Sequence, residues 1–342
     1  LRNDGGSSEI GDAMDEAPVQ FRVVITGDAV AAEAMEILSD RCRVVFTGPY
    51  PSPEVLAQTM GNEQADALLI RTGKATAEVM KASPRLRVIA KHGVGYDNID
   101  TRTATDLRIP VLISATANYQ SVAEHALALM LSLAKQIPWL DARMRQGMWD
   151  KTAFRGDELF RKTLGLVGFG RIGRRVCELV TPLEMNILVY EPFLPDHLFP
   201  PAVTRVARLE ELLRRADIVS LHCPLVERTR NLIDARELEM MKRTAWLINT
   251  ARGGIINEEA LIAALRDGKI AAAGLDTFQT EPPEDVCRLI EAGRVVLTPH
   301  TGAATREAFI RMGVEAAQNI MTVLTTGKPD RDCLVNPEIL TG

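Results

Sequence analysis

The chain has 342 residues, of which 46% are hydrophobic and 25% charged, and its formal net charge is -5. At about 100–200 residues per domain this suggests two domains, in an ordinary globular protein able to bury its cores without staples. No basic stripe stands out, which argues against a nucleic-acid partner. The five cysteines, Cys42, Cys177, Cys223, Cys287 and Cys333, are widely spaced and form no CxxC pair. Neither a metal site nor a disulfide framework is therefore expected, and reduced thiols point to the cytoplasm.

Leu1–Pro18 is polar and glycine-rich. With no apolar run it reads as a disordered leader, residues 1–17, and not as a signal peptide. Short apolar runs then predict strands at Phe21–Thr26, Arg43–Phe46, Ala67–Ile70, Arg87–Ala90 and Val111–Ile113. Helical patterns such as Ala29–Leu38 and Thr76–Ala82 lie between them. Ser52 ahead of Pro53 and Glu54 marks a helix start, with an N-cap and then proline at N1. This alternation predicts a parallel sheet covered by helices. Asn118–Gln136 reads as one long helix that crosses into a second domain. Ser121-Val122-Ala123-Glu124 is read as the capping box of that helix. Its most apolar run, Ala126–Ala134, is too short to span a bilayer, so no membrane partner is expected.

The second series places strands at Leu164–Gly168, Ile187–Glu191, Ile218–His222, Ala245–Asn249, Ala272–Asp276 and Val295–Thr298. Helical patterns at Ile172–Thr181, Leu209–Ala216 and Glu258–Arg266 separate them, and a tail helix follows at Thr305–Thr325. Six strands in this rhythm fit two mononucleotide-binding halves. The expected fold class is α/β, with a Rossmann-type doubly wound parallel sheet over 118–305. A second, flavodoxin-like α/β substrate domain is expected to be discontinuous, built from 18–117 and 306–342.

Gly168-Phe169-Gly170-Arg171-Ile172-Gly173 is G-x-G-x-x-G. It leaves a predicted strand, enters a predicted helix, and is followed 18 residues later by Glu191 at the end of the next strand. In that setting the motif predicts a dinucleotide whose pyrophosphate lies at the helix N-terminus. The Glu191 carboxylate suits both ribose hydroxyls and repels a 2′-phosphate, which favours NAD over NADP. Arg171 is assigned to the pyrophosphate charge.

Arg252, Asp276, Glu281 and His300 all follow the carboxyl ends of successive predicted strands, where ligands of open α/β sheets bind. Hydride addition to a ketone creates an alkoxide that needs a proton donor and a nearby positive charge. Histidine can be that acid, a carboxylate beside it favours imidazolium, and arginine can hold a substrate carboxylate through its planar fork. Among the other histidines, His125 is read as packing and His197 as solvated, with His92 and His222 bordering the cleft.

Gly168–Gly173, His222-Cys223-Pro224-Leu225, Asn249–Gly254, Glu281-Pro282-Pro283 and Thr298–Gly302 together resemble the D-isomer-specific 2-hydroxyacid dehydrogenase family. Within it the nearest likeness is to the D-3-phosphoglycerate dehydrogenases. The resemblance covers almost everything after Phe21. It implies His300 as acid/base, Glu281 as its partner and Arg252 as the substrate anchor. Asp276 with the Thr250-Ala251 backbone would hold the nicotinamide carboxamide, and Cys223 and Pro224 would line the adenosine side. His222, Thr229 and Gly302 complete the implied cofactor set. Val94 and Gly95 would offer backbone N–H groups to the substrate carboxylate. A homodimer is implied, with the arm around Ile137–Trp149 crossing to the partner.

Glu191 departs from the Asp more usual at the ribose position, and the chain ends without the C-terminal regulatory domain of longer phosphoglycerate dehydrogenases. The substrate is left open between 3-phosphoglycerate/phosphohydroxypyruvate and an unphosphorylated acid such as hydroxypyruvate or glyoxylate. Arg71, Lys91 and Arg145 are the cations that could read a phosphate. From a different class, a non-catalytic NAD(H)-sensing protein of the transcriptional co-repressor kind is the alternative.

Overall fold

The strands form where the apolar runs fall. A computed structural model describes residues 20–341, and the expected leader lies outside the described residues. The first stretch comprises β1 (Phe21–Ile25), α1 (Ala32–Ser39), β2 (Cys42–Phe46), α2 (Pro53–Glu63), β3 (Ala67–Ile70), α3 (Ala77–Ala82), β4 (Val88–Lys91), α4 (Thr101–Asp106) and β5 (Val111–Ile113). Next come α5 (Tyr119–Lys135), α6 (Ile137–Arg145), β6 (Thr163–Val167), α7 (Arg171–Val180), β7 (Asn186–Tyr190), β8 (Val203–Arg205), α8 (Leu209–Arg215) and β9 (Ile218–Leu221). The series ends with α9 (Ala235–Met240), β10 (Trp246–Asn249), α10 (Glu258–Arg266), β11 (Ala272–Leu275), α11 (Cys287–Ala292), β12 (Arg294–Leu297) and α12 (Arg306–Thr326). Every strand expected from sequence is found to within one residue at either end.

The chain forms two compact units. Among the described residues, one comprises 20–115 and 310–341, and the other runs from Thr116 to Phe309.

The first unit carries a five-stranded sheet in the order β2-β1-β3-β4-β5, parallel throughout. This is the flavodoxin-like winding. Side chains alternate across each strand: Val23, Ile25 and Leu69 pack with Ala316, Ala317, Ile320 and Val323 of α12. On the other face, Val24, Leu68 and Ile70 pack with Leu56 and Met60 of α2 and Val79 of α3. Ser52 caps α2 as expected, its hydroxyl accepting from the Val55 N–H with Pro53 in the first turn.

The second unit carries seven parallel strands in the order β12-β11-β10-β9-β6-β7-β8. Its winding reverses between β6 and β9, the Rossmann-type switch point. One face packs against α5 and α7 through Ala126, Leu129, Leu133, Val176 and Val180. The other packs against α8 and α10 through Leu212, Leu213, Leu261 and Leu265.

Two expectations are corrected. The sheet has a seventh strand, β8, where six were expected; it is a three-residue edge strand whose Thr204 and Arg205 are exposed, so it carries no apolar alternation to read. Ser121 is not a cap: α5 begins at Tyr119, after Asn118. The Ser121 side chain is buried, and its hydroxyl donates to the Gly302 carbonyl at 2.7 Å, a tertiary partner that no local pattern reveals. Among the described residues, no helix is long and apolar enough to cross a membrane.

Candidate active site

The β6–α7 turn depends on its glycines. Gly168 has φ +95°, and a Cβ there would lie 2.7 Å from the His222 carbonyl carbon and 2.8 Å from the Cys223 nitrogen. Only glycine lets this turn cross the end of β9 so closely. Gly173 faces back onto the Gly168 carbonyl, leaving 2.5 Å for a Cβ. Gly170, the N-cap of α7, has open space beside it. Two glycines are thus required by packing, while the third leaves the positive end of the helix approachable. Arg171 is exposed at the first helical position and Ile172 is half-buried.

Glu191 directly follows β7. Its Oε2 accepts from the Phe169 N–H at 3.1 Å and its Oε1 from the Phe193 N–H at 3.0 Å, so the carboxylate is anchored beside the glycine turn. Each oxygen retains acceptor capacity for a further donor.

At the end of β9, His222 Nε2 lies 2.9 Å from Ser220 Oγ. Burial pushes this imidazole down to about 4, so it is neutral at physiological pH. Burial also pushes the Cys223 thiol up to about 11, which makes it a wall of the site and not a nucleophile. Thr229 turns inward on its own loop, donating to the Pro224 carbonyl at 2.6 Å and accepting from the Val226 N–H at 2.8 Å.

The parallel register brings the ends of the next strands side by side, with Asn249 opposite Leu275 and Leu275 opposite Leu297. Asn249, fully buried, folds the turn beyond β10. Its Oδ1 accepts from the Ala251 N–H at 3.0 Å and its Nδ2 donates to the Arg252 carbonyl at 2.9 Å. The Arg252 guanidinium donates to the Ala251 carbonyl at 2.7 Å. A Cβ on the next residue, Gly253, would overlap the Phe278–Gln279 peptide, at 1.9 Å from the Phe278 carbonyl carbon.

That peptide leads to Glu281. Glu281 Oε1 accepts from the Phe278 N–H at 3.1 Å, and Oε2 lies 2.7 Å from His300 Nδ1. Burial tends to raise the Glu281 carboxyl. The His300 and Phe278 hydrogen bonds and the His300 and Arg252 charges outweigh it and hold the group below the usual carboxylate range. The sequence-predicted Arg252, Glu281 and His300 are therefore brought within electrostatic reach of one another.

His300 has φ +53°, and its N–H donates to the Asp276 carbonyl at 2.8 Å. The buried Asp276 carboxylate accepts from the Thr298 hydroxyl at 2.7 Å and from the N–H groups of Thr301 and Gly302, both at 2.8 Å. Burial would raise this carboxyl, but hydrogen bonds from His125, Thr298, Thr301 and Gly302 hold it below its ordinary value. Thr250 Oγ1, at the end of β10, is buried without a hydrogen-bond partner among the described residues. That orphaned atom, the opening at Gly170 and the anchored Glu191 carboxylate together fit a bound dinucleotide.

Sequence reasoning missed three groups. His125, read as packing, is polar-bonded: its Nε2 lies 2.8 Å from Thr298 Oγ1 and 3.3 Å from Asp276 Oδ1. The only signal was a histidine directly before the apolar run Ala126–Met130. The Asn249 side chain was passed over inside its own motif. Glu258 accepts from the Gln279 N–H beside Glu281. Burial first, then the charges of Glu259 and Glu281, raise its carboxyl despite that hydrogen bond.

In the first unit, Arg71 follows β3 with its N–H on Thr26 Oγ1 at 2.8 Å. Its half-buried guanidinium donates to the Ala29 carbonyl. Burial lowers its pKa, with Asp28 opposing. Lys91 Nζ donates to the Arg71 carbonyl at 3.2 Å and to Asn98 Oδ1 at 3.1 Å. Val94 and Gly95, in the loop after β4, are half-exposed. Arg145, in the second unit, pairs with Asp141 one helical turn away at 2.7 Å.

Comparison with known proteins agrees with this geometry. Residues 127–302 match the family model described as D-isomer specific 2-hydroxyacid dehydrogenase, NAD binding domain. The chain is 39% identical over 303 residues to a D-3-phosphoglycerate dehydrogenase of Methanocaldococcus jannaschii, covering 88% of this chain but 57% of that protein. It is 38% identical over 308 residues to a hydroxypyruvate reductase of Thermotoga maritima, covering 89% of this chain and 99% of the relative. Among solved structures, a glyoxylate reductase from Paecilomyes thermophila superposes with a TM-score of 0.84 at 30% identity, covering 94% of this chain and all of the other. With a matched NAD-binding domain and a relative matched almost end to end, the chain belongs to the D-isomer specific 2-hydroxyacid dehydrogenase family.

Proposed function

We propose that the chain is an NADH-dependent reductase of small 2-keto acids, running in reverse as a D-2-hydroxyacid dehydrogenase. The observation that carries this reading is the His300–Glu281 pair at 2.7 Å, held where the parallel strands end. The cofactor, when bound, supplies the hydride. With Nδ1 committed to Glu281, His300 offers Nε2 as the proton donor to the alkoxide. Glu281 fixes the orientation of the ring through Nδ1, and Arg252 grips the substrate carboxylate. Asp276 and the Thr250-Ala251 segment take the nicotinamide carboxamide, and His222, Cys223 and Pro224 border the adenosine.

Glu191 sets the cofactor. Its charge repels a 2′-phosphate, and its remaining acceptor sites suit the ribose hydroxyls. Losing a charged hydrogen bond of this kind should raise KM for NADH in Glu191→Ala on the order of 10-fold while improving use of NADPH. Steady-state kinetics with both cofactors test this, and equal kcat/KM for the two in the unmodified protein would refute it.

The state of the cations favours an unphosphorylated substrate of the hydroxypyruvate or glyoxylate kind. Arg71, Lys91 and Arg145 all spend donors on this chain's own oxygens. The identity to D-3-phosphoglycerate dehydrogenases supports phosphohydroxypyruvate as the second reading. A panel of 2-keto acids with NADH, followed by loss of reduced-nicotinamide absorbance, decides. Higher kcat/KM for hydroxypyruvate or glyoxylate than for phosphohydroxypyruvate is expected. The reverse order would establish the phosphate reading, and no turnover on any keto acid would favour a non-catalytic NAD(H) sensor. Exposed Ile137, Trp139, Met144, Met148 and Trp149 on and after α6 support a homodimer.

A further inference from the structure

We propose that His125, on α5, is a positioning residue for this reaction: with Ser121 it holds the Thr298–Gly302 loop that carries His300. The proposal rests on the reductase reading above. Ser121 and His125 are four residues apart and share one face of α5. They reach the two ends of the same loop. Ser121 Oγ donates to the Gly302 carbonyl at 2.7 Å, and His125 Nε2 meets Thr298 Oγ1 at 2.8 Å.

The proton inventory gives the His125 contact a direction. Thr298 donates its hydroxyl proton to Asp276 Oδ1, so its oxygen is the acceptor for His125, which assigns hydrogen to Nε2. The same N–H lies 3.3 Å from Asp276 Oδ1. His125 thus supports both the threonine and the buried carboxylate to which Thr301 and Gly302 donate.

The loop requires such fixing. His300 is a non-glycine residue in the left-handed region, a conformation that costs about 1–3 kcal/mol and persists only where its surroundings over-determine it. Packing leaves little slack: a Cβ on Gly302 would come within 2.9 Å of Asp276 Oδ2 and 3.5 Å of the His125 ring. Removing the His125 donor leaves Thr298 and Asp276 short of a partner in a buried network. The loop then relaxes, and the His300 ring leaves its line to the reacting oxygen.

The test compares His125→Leu, His125→Gln and Thr298→Val with the unmodified protein, with kcat given per folded site. Misplacement of a reacting group on the scale of 1 Å costs up to about 100-fold. We expect His125→Leu to lose roughly 10- to 100-fold in kcat with KM for the keto acid little changed. His125→Gln, whose amide can donate from a similar position, should recover most of that loss. Thr298→Val should behave as His125→Leu and stands in for it if the leucine variant does not fold. Full kcat in the folded variant overturns the proposal. If the unmodified protein turns over no keto acid, the reductase reading fails, and the His300 ring resonances in ¹H–¹⁵N spectra decide instead. Their displacement in the variant upholds the positioning role, and unmoved signals overturn it.

Discussion

His300→Asn is expected to lower kcat for keto-acid reduction by about 10²–10⁴-fold, the usual contribution of a positioned general acid, with little change in cofactor affinity. The asparagine keeps a polar group of similar reach but cannot deliver a proton. Glu281→Gln should act differently. Its carboxyl is held below the usual range, so in the native enzyme it is anionic through neutral pH, beside His300 Nδ1 at 2.7 Å. The amide lacks that charge. Here kcat should fall, and the loss of activity at acid pH that Glu281 protonation causes in the unmodified protein should be missing from the profile of the variant. Pre-steady-state and steady-state pH–rate profiles in both directions check this. An unchanged profile in Glu281→Gln would remove Glu281 from the mechanism.

Gly253→Ala is the second substitution with a large expected effect, although residue 253 touches no reactant. The added methyl would overlap the Phe278–Gln279 backbone at 1.9 Å, and a peptide bond cannot give way as a flexible side chain can. Overpacking typically costs about 1–3 kcal/mol, which should lower the melting temperature by roughly 5 °C. The larger consequence is for catalysis. The displaced peptide directly follows the Phe278 N–H that anchors Glu281, and a shift passed on through the Phe278 backbone moves that donor, so kcat should fall on the order of 100-fold. Thermal melts and kinetics on the same preparation check both parts, and a variant with native kcat would show that the peptide shifts without moving Glu281.

Legibility in the sequence followed the range of the interactions. The Gly168–Gly173 turn and Glu191 could be read because strand, glycines, helix and acid follow in order along one short stretch. Ser52 and Pro53 announced α2 for the same reason. Arg252, Glu281 and His300 were placed by topology, since each follows a strand whose end is fixed by the parallel register. The failures involve partners distant in sequence. Ser121 has the spacing of a capping box, but its hydroxyl is spent on Gly302. His125 resembles core packing until Thr298 is seen beside it. β8 escaped because its three residues are largely exposed, so no buried face imposed an alternation. Arg71 and Lys91 were legible as cations at strand ends, but not as cations whose donors are used by Ala29 and the Arg71 carbonyl itself.

The division of the first unit across the chain has a consequence for the order of assembly during synthesis. Its core needs Ala316, Ala317, Ile320 and Val323 of α12 against Val23, Ile25 and Leu69, and Asn336 closes onto the Val111 N–H and the Ile109 carbonyl. Those partners are translated only after the whole of Thr116–Phe309, which contains every strand of the seven-stranded sheet. The later-starting unit can therefore finish folding while the earlier one waits with one face of its sheet covered only in part, by Ala34 and Leu38 of α1. Such a face is an aggregation hazard on the ribosome. Once folded, the inserted unit brings the two halves of its neighbour closer than an open chain of the same length would, which lowers the entropy cost of closing them.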